Sequence, residues 1–273
     1  MKFGICNELY ENWDFADVCR SVRAIGYDGL EIAPFTLAPR ITDVSAERRR
    51  ELRQIMADTG VECIGLHWLL AKTEGFYLTT PDSATRAKTL DYLKALTECC
   101  RDLGGQIMVF GSPKQRDLLP GVSYDQAMGY AEEVFAALAP TLADCGVTLC
   151  LEPLAPSETN FLNTIDQANV LIGRVNHPNF RLHLDVKAQS SEAGTSVPEL
   201  WAKHGALARH AHAQDVNLQG PGMGQVDFRP IVKALHESGY PGYLSVEVFD
   251  FTPGAEETAR ISLATLRQSA AGG

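Results

Sequence analysis

Eight times along the chain a short apolar run of strand character is followed by a segment with helical spacing, and this alternation limits the possible folds more than any other feature. The predicted strands are Phe3–Cys6, Tyr27–Ala33, Val61–His67, Ile107–Phe110, Val147–Glu152, Phe180–Asp185, Ala208–Ala213 and Tyr243–Val248. The spacing predicts helices over Asp14–Ile25, from the Ser45 cap to Gly60, and over Asp82–Leu103, Tyr124–Ala143, Thr164–Val175, Val197–His204, Phe228–Ser238 and Glu256–Gln268. In the first of these, Phe15, Val18, Val22 and Ile25 recur at intervals of three and four, and Gly26 stops the helix. Arg48 to Arg50 read as the solvated face of the second helix. No low-complexity linker interrupts the series.

Eight such units in 273 residues, 45% of them hydrophobic, argue for an α/β chain folded as one (β/α)8 TIM barrel spanning residues 1–273. A doubly wound sheet is the competing fold, but it exposes only a few strand ends to a ligand. Here Glu31, His67, Glu152, Asp185, His212 and Glu247 all fall at predicted carboxyl ends of strands, and six strand ends fit a closed barrel better.

Those strand ends carry the chemistry. Thr148-Leu149-Cys150-Leu151 runs into Glu152 and is stopped by Pro153; Leu182-His183-Leu184 runs into Asp185; Leu244-Ser245-Val246 runs into Glu247. A buried carboxylate without a partner costs roughly 3–5 kcal/mol. Three acids and one imidazole converging at a barrel mouth are accommodated most simply by one divalent cation, and an oxygen-rich donor set suits Mn²⁺, Mg²⁺ or Co²⁺. The competing reading pairs each acid with a lysine or arginine, or makes it the cap of the next helix. The imidazole is His210 or His212, which alternation places on the same face. His183 and His210 lie one layer deeper and read as core or supporting groups.

Other residues near the strand ends are candidates for substrate contact. His67 and Trp68 close the third strand, and Lys187 lies two past Asp185, on its face if the strand continues. Lys114 and Arg116, with Gly111 and Ser112, come after the fourth strand, where they could hold a phosphate or carboxylate. The Gly220–Gly224 loop lacks the position of a dinucleotide fingerprint and reads as a mobile cover over the site.

Composition narrows the partners. A net charge of −10 leaves no broad basic surface, so nucleic acid is not the expected partner. Seven cysteines without a Cys-x-x-Cys pair are expected to be reduced thiols. The first residues lack the apolar stretch of a signal peptide and no run approaches membrane-spanning length. A soluble, cytoplasmic protein is expected, with homo-oligomerisation left open.

Taken in order, Gly26-Tyr27-Asp28-Gly29-Leu30-Glu31, Leu151-Glu152-Pro153 with Asn163-Thr164, His183-Leu184-Asp185, His210-x-His212 and Gly239-Tyr240 before Val246-Glu247 resemble the sugar-phosphate isomerase/epimerase group of the xylose isomerase-like barrels. The resemblance runs through nearly the whole chain and also touches hydroxypyruvate isomerases. It implies a Mn²⁺- or Mg²⁺-type centre held by Glu152, Asp185, His212 and Glu247, with Glu152 and Glu247 also serving as acid and base. It implies further that Glu158 contacts the sugar. Ala188 and Leu218 depart from the pattern, standing where ketose 3-epimerases of the group have a histidine and an arginine.

The expected activity is isomerisation or epimerisation of a small ketose, sugar phosphate or hydroxy-keto acid by proton abstraction through an enediolate. The alternatives are a dehydratase of an inosose or dehydroshikimate-like substrate, an endonuclease IV-like phosphodiesterase, and a barrel that binds a sugar without turnover.

Overall fold

In the computed structural model, which describes residues 1–272, short parallel strands alternate with helices that start and stop where the local chemistry dictates. The order is β1 (Lys2–Cys6), α1 (Phe15–Ile25), β2 (Gly29–Ile32), α2 (Ala46–Thr59), β3 (Glu62–Leu66), α3 (Ser83–Leu103), β4 (Ile107–Phe110), α4 (Tyr124–Cys145) and β5 (Thr148–Leu151). It continues with α5 (Ile165–Val175), β6 (Phe180–Asp185), α6 (Val186–Gln189), α7 (Val197–His204), β7 (Ala208–Ala213), α8 (Phe228–Glu237), β8 (Tyr243–Val246) and α9 (Ala255–Ala271). The strands pair in sequence order and β8 closes on β1, with Lys2 opposite Tyr243 and Ile5 opposite Val246.

Side-chain caps set the helix starts. Asp14 Oδ1 accepts from Ala16 N at 2.9 Å, Ser45 Oγ from Arg48 N at 3.1 Å, and Asp82 Oδ1 from Ala84 N at 3.1 Å. Each such cap is worth about 1 kcal/mol. The apolar stripe of α1, with Phe15, Val18 and Val22, is buried, and Tyr27 ties β2 to α9 by donating its hydroxyl to Ala259 O at 2.7 Å. The cysteines are all free thiols. Among the described residues no helix is long and apolar enough to cross a membrane.

The ladders break register twice. Leu30 pairs with Cys63 but Glu31 with Gly65, and Leu182 pairs with Ala208 but His183 with His210. An extra residue at a bulge re-aims the side chains beyond it. Both bulges lie directly before residues of the polar interior, Glu31 and His210.

Candidate metal centre at the mouth of the barrel

The interior changes character along the barrel axis. Towards the amino ends of the strands, Gly4, Ile64 and Ser245 fill the space closely. Above them His183, His210 and His212 form a layer of imidazoles, with ring centroids 4.3–5.5 Å apart. Glu31 serves this layer rather than the mouth. Its Oε2 lies 2.7 Å from His210 Nε2 and 3.1 Å from His212 Nε2, and all three residues are fully buried. Burial raises the cost of ionising Glu31, but the two histidines outweigh it and hold its carboxyl well below the usual range.

The top layer lies at the carboxyl ends of the ladders. Glu152 comes directly after β5, Asp185 ends β6, His212 is the penultimate residue of β7 and Glu247 comes directly after β8. One ligand atom from each lies within 4.8 Å of those of the other three, and all four residues are buried. Glu31 occupies His212 Nε2, which leaves Nδ1 towards the mouth, 3.3 Å from Glu247 Oε2 but without hydrogen-bond alignment. A carboxylate behind a histidine fixes the ring orientation and leaves the other nitrogen for a ligand. Glu31 contacts both imidazoles, so reach is what distinguishes them: His212, and not His210, comes within ligand distance of Glu152, Asp185 and Glu247.

Asp185 caps the next helix and still keeps one oxygen unpartnered. Its Oδ1 accepts from Ala188 N at 2.6 Å and caps α6, while Oδ2 has no partner. The strand ends at Asp185 and the chain turns into α6 at Val186, so the condition for Lys187 to share the strand face is not met. Lys187 nevertheless reaches the cavity, with Nζ 2.5 Å from Glu158 Oε1.

The protein's own field divides the acids. Burial, then the charges of Glu247 and Asp185, push Glu152 well above the usual carboxylate range. Burial, then Glu247, raises Asp185 to about 7. Burial opposes ionisation of Glu247 too, yet His212 and His67 overcome it and hold that carboxyl low. An unpartnered buried oxygen on Asp185, an unaligned imidazole nitrogen and two carboxyls that resist ionisation are compatible with a bound cation. The donor set of three carboxylates and one imidazole fits a divalent ion.

Glu152 reaches its place because residue 111 has no side chain. A Cβ on Gly111 would fall 1.7 Å from Glu152 Oε2. The neighbouring cations do not act as expected from the sequence. Arg116 is fully buried behind the site, donating from Nη1 to Glu152 O at 2.7 Å, and burial pulls its pKa down to about 10. Lys114 is exposed, and neither residue lines the cavity. The loop turns Ser112 and Gln115 inward to accept from Leu70 N and Leu78 N, and this carries Lys114 outward.

The cavity over the four ligand candidates has a volume of about 420 Å³. Trp68, Leu154, Leu218 and Phe249 form apolar walls, while Glu158, Lys187 and Gln214 supply polar contacts. His67 is not on the wall. It is fully buried between two acids, with Nδ1 3.0 Å from Glu247 Oε1 and Nε2 2.9 Å from Glu8 Oε2. Burial opposes protonation of His67, but Glu8 and Glu247 raise its pKa well above the ordinary value. Glu8 was not singled out from the sequence, although it too is an acid just past an apolar strand.

The Gly220–Gly224 loop packs on α9 instead of covering the site. A Cβ on Gly220 would fall 2.0 Å from Ser262 Oγ, and one on Gly222 would fall 2.1 Å from Thr265 Oγ1. Its glycines allow close approach to a helix.

Fold and site together define a (β/α)8 barrel with an acid–imidazole centre at its carboxyl-terminal mouth. The model of the xylose isomerase-like TIM barrel matches residues 19–269, and the chain belongs to that family. Fructoselysine 3-epimerase of Escherichia coli O157:H7 is 23% identical over 258 residues, covering 91% of this chain and 90% of that protein. D-psicose 3-epimerase of Ruminiclostridium cellulolyticum is 27% identical over 254 residues, covering 91% and 84%. Among solved structures, D-psicose 3-epimerase in the presence of D-fructose superposes with a TM-score of 0.81 at 21% identity, covering 99% of this chain and 96% of that one. The apo form of 3-keto-D-glucoside 4-epimerase from E. coli superposes with a TM-score of 0.84 at 21% identity, covering 98% and 99%. The epimerase names of these relatives support an enzyme of the isomerase class.

Proposed function

We propose that the protein is a divalent-metal-dependent epimerase of a ketose-type sugar, acting on the C–H bond beside the carbonyl. The observation that carries the reading is the buried set of Glu152, Asp185, His212 and Glu247, whose two glutamates face one sugar-sized cavity. The epimerase names of the relatives support it. Glu152, Asp185, His212 and Glu247 would hold the ion, Mn²⁺ in the first instance with Mg²⁺ or Co²⁺ as alternatives, and when bound it supplies positive charge for an oxyanion developing on the substrate.

The protein's own groups move the proton. Glu247, kept ionised by His212 and His67, is the base towards the C–H bond. Glu152, the second carboxyl facing the cavity, returns a proton to the other face. Glu158 and Lys187 bind substrate hydroxyls, Trp68 and Phe249 shape the walls and exclude water, and His67 orients Glu247.

The test is hydrogen exchange. Protein loaded with Mn²⁺ and incubated with ketoses in D2O should place deuterium at the carbon beside the carbonyl and form the epimer without loss of water. Glu152→Gln and Glu247→Gln should each abolish both. Absence of exchange across a panel of ketoses, or an enone absorbance from water loss, overturns the reading.

A further inference from the structure

A second cavity of about 640 Å³ opens at the same mouth, formed by the loops after β1, β2, β3 and β8. Trp68 and Phe249 line both cavities, so the two spaces meet at a shared wall. Trp68 holds a φ of 49°, a left-handed conformation that a bulky residue adopts only when its surroundings impose it. Its ring packs edge-on between Phe35 and Phe249, with centroids 5.5 and 5.0 Å away. The opposite side is walled by Trp13, 43% exposed and packed edge-on against Tyr10 at 5.3 Å.

The charged residues of the lining are Glu8, Glu11, Asp14, Arg48 and Lys72. Glu11, Arg48 and Lys72 line the rim, with Lys72 Nζ 4.1 Å from the centroid of Phe35. Glu8 lies at the floor, 5% exposed, and its Oε1 has no hydrogen-bond partner. Small-molecule sites occupy about 300–1,000 Å³, so the reaction cavity is by itself large enough for a sugar and the larger neighbour remains to be filled. Aromatic walls with charged edges suit a ring with apolar faces and a polar or soluble rim, because rigid rings provide contact area at small entropic cost.

We infer that the substrate is a ketose bearing a second, ring-shaped group, with the ketose over Glu152 and Glu247 and the appended ring between Trp68, Phe35 and Trp13. This assignment rests on the proposed epimerase reading and specifies its substrate class. The appended ring is a glycosyl or an aryl group, and the two share the chemistry of apolar faces.

The experiment compares binding of D-fructose with that of D-fructose carrying a glucosyl or a benzyl group at O1 or O6. Calorimetry on the full-length, Mn²⁺-loaded protein gives the affinities. At least one conjugate should bind ten times more tightly than D-fructose itself, and the glucosyl and benzyl arms identify the kind of ring. Trp13→Ala, at an exposed ring, and Phe35→Ala, at a half-buried one, should each reduce the conjugate-to-fructose affinity ratio at least fivefold. Conjugates that bind no more tightly than D-fructose, or a ratio unaltered in both variants, overturn the assignment. A conjugate preference without hydrogen exchange at the ketose carbon sinks the epimerase reading and leaves the second cavity's occupant as assigned.

Discussion

At the amino-terminal end of the barrel Lys2 Nζ lies 2.7 Å from Glu62 Oε1 with both side chains more than half exposed, whereas at the mouth Glu152 and Asp185 are buried, and among the described residues no lysine or arginine forms an ion pair with either carboxylate. A cavity of about 450 Å³ also lies at the amino-terminal end, lined by Arg53, Glu62, Cys63 and Arg209 among others, but the acid–imidazole clusters are elsewhere. Volume therefore does not distinguish the two ends. Charge does: an exposed ion pair contributes little to stability, while buried acids without a lysine or arginine partner lower it. The acid–imidazole groups gather at one end of one set of strands.

The most severe way to break this contrast is to remove the acids at the mouth. Asp185→Asn and Glu247→Gln should each lower kcat/KM by about 10²–10⁴-fold or more, the range for loss of a group that moves or positions a proton. Elemental analysis after dialysis should show loss of the ion from Asp185→Asn, while circular dichroism remains that of the parent. Retained activity in either variant would place the chemistry elsewhere.

A smaller displacement tests the geometry without touching a ligand. Gly111→Ala forces the Glu152 carboxylate aside and should cost about 10²-fold in kcat, since a shift of about 1 Å is enough for that loss. A structure of the variant should show the carboxylate rotated and the barrel unaltered.

The acids also give the metal-free protein a pH-dependent stability. Asp185, with a pKa raised to about 7, and Glu152, raised as well, keep protons in the folded state that the unfolded chain releases near 4. Unfolding free energy therefore falls as pH rises from about 4 towards 7. His67 and His212, also raised, add stability that is complete below about 6.5 and lost as pH climbs through their folded values, which extends the decline. Glu31 and Glu247, held low, act in the opposite sense only below about 4.5. Thermal melts between pH 5 and 8 should show a decline, with about 1 kcal/mol equal to a few degrees. Added Mn²⁺ should reverse the trend, because it stabilises more as the ligands deprotonate.

The smallest effect is expected at the other end. Lys2→Met should change stability by less than about 1 kcal/mol and leave kcat/KM as it was, measured by chemical denaturation and steady-state kinetics. A large kinetic effect would show that the two ends are not independent.

Much of the mouth was legible because a barrel turns each strand end into a site position. With β5, β6 and β8 recognisable as apolar runs ending in Glu152, Asp185 and Glu247, closure of the sheet makes their convergence necessary. The hidden parts depended on partners distant in sequence. Glu8 matters because His67, some sixty residues on, joins it to Glu247. Arg116 has the sequence position of a substrate contact, yet its side chain folds behind Glu152. Between His210 and His212, both in contact with Glu31 from another strand, only His212 comes within ligand distance of Glu152, Asp185 and Glu247.

The eight-fold alternation of apolar runs, caps and stops, together with the residue types at the ends of the runs, was set by the linear order of amino acids, since helix caps, strand alternation and turn glycines are local preferences. Which oxygen faces which ring, which glycine admits a carboxylate, and that Trp68 divides one mouth into two cavities were decided only on closure of the barrel. Those relations are distances between segments far apart in the chain, and no local preference specifies them.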